Sequence, residues 1–534
     1  MNRTLFSSFI IVAGLAWSMV HAADPEIGKT ARYCNPLPIP TAPGASASGD
    51  VTVIQENGKY YMFCTGGGAW VSEDLVNWEY HPVQGRVPVA PGIIKYKNYF
   101  YMSGNGAPLY RAKDILGPYE SAGDWKTHDG QVWTGTAGNG RVWEGAFDVH
   151  FFIDNDKPYL FYPGRGTEGI YAVPLDPDDL SRFAAAPKHL FGFDKSHVWE
   201  RYGEMNEYPD VSWIEGPWMI KHNNTYYLEY SANGTQWFAY ATGVYTAKSP
   251  IGPFAYAPGN PILRKTTGIV TGSGHGCVIK GPDGNHWQFY TIVLANPPGG
   301  RRIGMDPVGF DEQGNMFVNG PSETPQWAPG AVKDPARRND SGSIPLTINK
   351  MRAWRAKSSF SSERPGREAA YAVDNAGGTW WEPDTTDAMP ALTIELSPAT
   401  EFDPVQLFTI DGVRLMFRGA RRGFGRRSTT PPPPEIYQYR IDVSMDGETY
   451  NTALDLTQNT IPKNTIFEEI PPVKCRFVRL TITDWPKNAS LGILEFTVFG
   501  RPAGFLSSAV PNPDTASSGS SQMDGIRIVS KLSI

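Results

Sequence analysis

Cysteine is scarce in this 534-residue chain, with four in all: Cys34, Cys64, Cys277 and Cys475. They lack the paired spacing of a metal-binding module, and none sits in a signature that pairs it with a catalytic histidine. Cys64 and Cys277 fall within strand-like runs and are expected to be small buried residues rather than nucleophiles. A bridge from Cys34 to another cysteine stays open, with no pairing assigned. Positive charge is not in excess either. Lys and Arg number 48 against 54 Asp and Glu, a net −6, which argues against nucleic acid as the main partner. Long apolar runs are absent after Val20, so no membrane span is expected.

What is present begins with residues 1–23. Arg3 supplies a positive start, an apolar stretch runs from Leu5 to Val20, and Val20-His21-Ala22 resembles a cleavage site, together the pattern of a secretory signal peptide. A secreted or periplasmic location is expected. The rest is too long for one ordinary core, so two domains are the natural expectation. An aromatic content of 13% with 56 Gly and 46 Pro suits an all-β chain of many turns.

One unit recurs. Residues 213–232 read as a carboxylate, a short strand, a polar turn at 222–225 and a second, aromatic strand. The same pattern starts at Asp50 and Asp148, with weaker copies from Ala90 and Gly274. Aligning Asp50, Asp148 and Glu215 places a tyrosine eleven residues on in each copy, at Tyr61, Tyr159 and Tyr226. Five hairpins at such intervals are expected of a five-bladed β-propeller, whose blades cannot bury their faces alone. Equivalent positions then converge on the axis, which would gather Asp50, Asp148 and Glu215 at one channel mouth. The propeller is expected over 24–330, with long loops at 124–144 and 183–210 as pocket-side insertions.

Three acids around a pocket suit glycoside hydrolysis, which needs one carboxyl to protonate the leaving oxygen and one carboxylate to activate water or attack carbon. The acid must hold its proton near neutrality, and a neighbouring carboxylate favours that. A channel mouth also leaves room for the separation of roughly 6.5–9.5 Å used for inversion. Glu144, Glu200 and Asp210 are further acids near the same mouth, and any of them could displace Asp148. Trp143 and Trp218 are candidates for stacking on sugar.

Asp50-Val-Thr-Val-Ile with Gly58-Lys-Tyr-Tyr, Phe147-Asp148-Val with Asp154-Asn-Asp, and Glu215-Gly-Pro with Tyr226-Tyr-Leu resemble the catalytic blades of glycoside hydrolase family 43. The resemblance covers about 50–320. It implies an inverting enzyme with Asp50 as general base, Asp148 as the residue that tunes pKa and orients substrate, and Glu215 as general acid. It further implies that Arg301 contacts sugar and that His275, in Gly274-His-Gly, lies under the site and helps hold a calcium ion or its water shell. No cofactor is implied for the chemistry itself. Sialidase-type repeated Ser-x-Asp-x-Gly-x-Thr-Trp turns are absent, as is the Asn-Asp-Pro and Arg-Asp-Pro pair of five-bladed fructosidases. The expected activity is α-L-arabinofuranosidase on an arabinose-, xylose- or galactofuranose-containing glycan. β-Xylosidase and galactofuranosidase are the alternatives within the family, and a non-catalytic carbohydrate-binding propeller is the alternative outside enzymes.

Residues 331–343 turn to Pro, Gly and charge, the pattern of a linker. Residues 344–500 show alternating strands without the hairpin repeat, expected to form a β-sandwich. Ala372-Val-Asp374-Asn, Thr379-Trp-Trp381, Phe477-Val-Arg479-Leu and Glu495-Phe-Thr-Val-Phe-Gly500 resemble the discoidin, or coagulation factor 5/8 type C, jelly roll, which implies a carbohydrate-binding module, with packing against the propeller as the alternative role. Residues 418–434 carry five arginines and then four prolines, read as a solvated loop with acidic glycan as the alternative contact. Residues 501–534 are Ser/Pro-rich and expected to be a flexible tail.

Overall fold

The computed structural model describes residues 31–504 apart from 43–44, 134, 136–145, 296–299, 352–357, 398–404, 420–433 and 488. The expected signal peptide, Trp143, Glu144, most of the arginine-rich stretch and all but the start of the expected tail lie outside the described residues.

Five four-stranded antiparallel sheets follow one another, each made of four consecutive strands. Their first strands are Thr52–Glu56, Gly92–Tyr96, His150–Asp154, Glu215–His222 and Gly274–Lys280. These neighbour one another around a ring that closes from the fifth to the first, so the expected five-bladed propeller is present. In blades 1, 3 and 4 the first hairpin turns on two residues that both have positive φ: Asn57-Gly58, Asn155-Asp156 and Asn223-Asn224. Such turns match the twist of paired strands, and Asn, Asp and Gly tolerate that backbone best.

No blade is stable alone, because its apolar residues lie on faces that only a neighbour covers. Blades 1 and 2 share a cluster around Phe63, Ile93, Phe100 and Met102. Blades 2 and 3 meet at Leu109, Phe151 and Leu160, and blades 3 and 4 at Phe161, Met219 and Leu228. Val278 and Ile292 of blade 5 pack on Val244 of blade 4. Cys64, Cys277, Trp287 and Phe289 close blade 5 onto blade 1. Each large side chain so buried contributes about 1.5–3 kcal/mol. All four cysteines are buried and free.

The ring closes without a strand shared between its ends. Arg32–Tyr33 instead pairs with Gln326–Trp327 as a separate two-stranded clasp. Residues 331–343, expected as a linker, are packed rather than free. Trp327 N–H donates to the Asn339 carbonyl (2.8 Å), and Asn339, Ser341 and Ser343 are buried. Short polar side chains hold this segment without hydrophobic periodicity: Ser341 donates to the Pro325 carbonyl (2.6 Å) and Ser343 to the Asp411 carboxylate (2.7 Å).

The second unit is the expected sandwich. One sheet runs in the order Ile344–Pro345, Ile493–Pro502, Phe408–Phe417, Thr465–Cys475. The other runs Ser359–Phe360, Ala391–Glu395, Phe477–Asp484, Gln438–Ser444, Asn451–Leu456. Ile410, Val413, Leu415, Ile441, Val478, Leu480 and Phe496 fill the space between them. The sandwich also packs on the propeller. Buried Arg414 donates to the carbonyls of Asn35 (2.8 Å) and Glu323 (3.0 Å), and Trp380, Met416 and Leu494 share a core with Leu294 of blade 5.

Candidate active site

The chain enters each blade at one mouth of the ring with a left-handed residue: Asp50 (φ 51°), Ala90 (47°), Asp148 (42°), Gly216 (58°) and His275 (36°). Non-glycine residues rarely adopt this backbone, and where they hold it the surrounding structure must impose it. Here every blade starts with the same sharp turn, and the side chains of Asp50, Asp148 and His275 meet at the mouth.

Glu215 therefore reaches the mouth differently from the two aspartates. Counting back from the hairpin turn, the position equivalent to Asp50 and Asp148 is Gly216, and Tyr227, not Tyr226, pairs across from Ile220 as Tyr61 does from Ile54 and Tyr159 from Phe152. The expected phase of Glu215 is thus one residue out. A bulge between Glu215 and Trp218 shifts the register and brings the glutamate to the pocket from the preceding position. Gly216 is required there, since a Cβ would lie 2.8 Å from Cγ of His275.

The three acids are brought together, each less than a tenth exposed. Arg301 grips Asp50 with both ends of its guanidinium, at 2.7 Å to Oδ1 and 2.8 Å to Oδ2, and the Thr65 hydroxyl donates to Oδ2 at 2.6 Å. His275 lies between the aspartates, with Nδ1 3.4 Å from Asp50 and 3.5 Å from Asp148. The Asp148 N–H donates to Asn105 (2.7 Å). Tyr240 donates its hydroxyl to Glu215 at 2.9 Å.

These surroundings push the acids apart in strength. Burial would raise Asp50, but the charge and hydrogen bonds of Arg301, with His275 and Thr65, outweigh it and hold it below the usual carboxylate range. Burial, then the Asp50 charge, raises Asp148 to about 8. Burial, then Asp148, raises Glu215 to about 8. One carboxylate stays ionised while neighbouring carboxyls keep a proton near neutrality, the division an acid and base need. Burial lowers His275 despite the nearby carboxylates.

Arg301, expected to contact sugar, lies at the mouth with Asp50 as its immediate partner. Trp218 packs inside the ring: its indole N–H donates to the Val278 carbonyl (3.1 Å), and its ring lies 4.2 Å from that of His150. Glu200 is engaged by Tyr230 (2.5 Å) and His197 (2.8 Å), and Asp210 is exposed beside Lys195, so neither displaces Asp148. Among the described residues no group of three or more His, Cys, Asp or Glu is arranged to hold a metal ion. With both Asp50 oxygens taken by Arg301, a direct protein cage for calcium at His275 does not fit.

Thr65, Asn105, Thr235 and Tyr240 were not anticipated. The first three lie in Gly-rich turns after the second strand, Thr65-Gly-Gly-Gly68, Gly104-Asn-Gly106 and Asn233-Gly-Thr235. Antiparallel pairing puts the end of that strand beside the start of the first, so a repeated turn there marks the same mouth. Thr235 accepts from Arg301 at 3.1 Å.

An acidic, arginine-braced mouth on a five-bladed propeller holds the acid and base that glycoside hydrolysis needs. Residues 40–316 match the family model described as glycosyl hydrolases family 43, and the chain belongs to that family. It is 28% identical over 251 residues to the Beta-D-galactofuranosidase xynD of Aspergillus niger, covering 42% of this chain and 64% of that protein. It is 25% identical over 256 residues to the extracellular endo-alpha-(1->5)-L-arabinanase 2 of Bacillus subtilis, covering 40% of this chain and 51% of the relative. The chain therefore spans about half to two thirds of the length of these curated relatives. Among solved structures, a thermostable family-43 glycoside hydrolase is 27% identical with a TM-score of 0.45, over 56% of this chain and 99% of that one.

Proposed function

We propose that the protein is an exported, inverting α-L-arabinofuranosidase acting on glycan side chains. The observation that carries the reading is the pairing of an ionised Asp50, held by Arg301 and Thr65, with a Glu215 that keeps its proton to about pH 8. Asp50 takes the proton of the attacking water as general base, and Glu215 delivers its proton to the leaving oxygen as general acid. Asp148, raised by burial and by Asp50, lies beside Glu215, and negative charge on it favours the protonated acid. His275 and Arg301 hold the base in place. Export rests on residues 1–23 and on the extracellular arabinanase relatives.

Galactofuranosidase is the second reading, favoured by the Aspergillus relative. α-L-Arabinofuranose and β-D-galactofuranose share one ring configuration and differ in the exocyclic arm, so room beyond C5 separates them. A panel of nitrophenyl α-L-arabinofuranoside, β-D-galactofuranoside and β-D-xylopyranoside tests this, with arabinofuranoside expected to give the highest kcat/KM. Proton NMR of the first-formed sugar is expected to show the inverted anomer. Retention, or turnover of none of the three, would overturn the reading.

A further inference from the structure

The strand that carries Arg301 is not held by its own blade at the mouth. Gly300–Phe310 is the third strand of blade 5, and the fourth, Met316–Val318, pairs only with its far end, Val308–Phe310. Among the described residues no strand lies along the outer edge from Gly300 to Asp306. Backbone groups on such an edge need other partners. Leu37 N–H donates to the Ile303 carbonyl (2.9 Å), and the Asn35 side-chain amide donates to the Met305 carbonyl and accepts from its N–H, both at 3.0 Å. The segment that supplies these bonds is itself held by the sandwich: Arg414 donates to the Asn35 carbonyl (2.8 Å), and Thr41 N–H donates to the Pro462 carbonyl (2.7 Å).

Arg302 makes the direct link. Its Nε donates to the Thr465 hydroxyl (3.1 Å), one terminal nitrogen to the Arg301 carbonyl (3.0 Å) and the other to the Phe417 carbonyl (3.4 Å). One guanidinium therefore ties the backbone of Arg301 to the ends of two paired sandwich strands, Phe408–Phe417 and Thr465–Cys475. Both anchor points are buried. Phe417 is fixed further by its N–H to the Asn464 carbonyl (2.8 Å) and by stacking on Tyr437, 3.6 Å between ring centroids. Successive side chains of a strand point to opposite faces, so the strand that aims Arg301 at Asp50 sends Arg302 into the sandwich.

We propose that the sandwich is a positioning part of the catalytic site, in which Arg302, anchored on Thr465 and Phe417, sets the aim of Arg301 at Asp50. The inference rests on the reading of Asp50 as general base. Arg301 places two nitrogens on both Asp50 oxygens at once, and a fork of that kind depends on geometry as well as charge. When the strand end shifts the fork opens, and the carboxylate loses the opposite charge and the hydrogen bonds that keep it ionised.

Two variants of the full-length protein test this. Arg302→Met removes the guanidinium, and Thr465→Val removes only its acceptor in the sandwich while keeping the shape of the side chain, so the second serves where the first does not fold. Crystal structures are expected to show the Arg301–Asp50 contact reduced from two hydrogen bonds to one or none. On an arabinofuranosyl disaccharide, kcat is expected to fall at least about tenfold, since misplacement by about 1 Å can cost about 10²-fold. The acid limb of kcat/KM is expected to move upward by about one pH unit, because a base that has lost an opposite charge titrates higher. Thr465→Ser keeps the hydroxyl and is expected to keep the wild-type limb, whereas a merely structural role would lower the melting midpoint without moving the limb. An Arg301–Asp50 contact intact in both variants would overturn the inference. A contact that opens while the acid limb stays in place would leave the positioning role standing and refute Asp50 as the base.

Discussion

Replacing Glu215 by Gln keeps the shape of the side chain and removes its transferable proton. Burial beside Asp148 raises this carboxyl from 4.5 to about 8. Near neutrality the raised carboxyl then holds its proton, whereas an unperturbed glutamic acid has lost it. The value of that proton depends on the leaving group. A sugar alkoxide cannot depart without it, whereas a nitrophenolate carries its own negative charge. For an arabinofuranosyl disaccharide, Glu215→Gln is expected to lower kcat by about 10²–10⁴, the usual contribution of a general acid, and for the nitrophenyl glycoside by distinctly less. Steady-state kinetics on the two substrates, with circular dichroism to show that the variant is folded, measures the contrast. Equal losses on both would refute the assignment, because a residue that only shapes the pocket does not distinguish leaving groups.

Tyr240 donates to Glu215 and so favours its ionised form. Tyr240→Phe is expected to move the alkaline limb of kcat/KM upward by up to about one pH unit, the worth of one hydrogen bond; an unmoved limb would exclude the contact from the mechanism. Buried Glu229 is raised to about 8, chiefly by desolvation, and its Oε1 has no partner. The folded state therefore binds more protons than the unfolded one between pH 4.5 and 8, and stability falls as pH rises through that window. Glu229→Gln is expected to shrink the drop in melting midpoint between pH 5 and 9 by roughly several degrees, and an unchanged drop would refute the buried proton.

The propeller was legible because its punctuation is local. Asn57-Gly58, Asn155-Asp156 and Asn223-Asn224 fix hairpins by backbone chemistry alone, and alternating aromatic strands flank them. Asp50 and Asp148 followed from that repeat. Glu215 was reached by a count that is one residue off, since a bulge in one strand cannot be seen in spacing. Trp218 looked like a sugar platform because an aromatic residue beside a catalytic motif carries no mark of which blade it packs on. Thr65, Asn105 and Thr235 sit in glycine-rich turns, whose residues have no hydrophobic period and declare themselves only when antiparallel pairing brings them to the mouth. The packing of 331–343 was hidden for a related reason: buried serine and asparagine held by hydrogen bonds rather than by apolar contacts read as loop.

Asp50 and Glu215, far apart in the chain, are proposed to act in one hydrolytic site, and kcat for Asp50→Asn, Glu215→Gln and the double variant on a disaccharide substrate measures whether they do. Each single change is expected to cost at least about 10²-fold, with the double variant losing little beyond the worse single, as for groups that act as a unit. Losses that multiply, or a single variant with full activity, would contradict it.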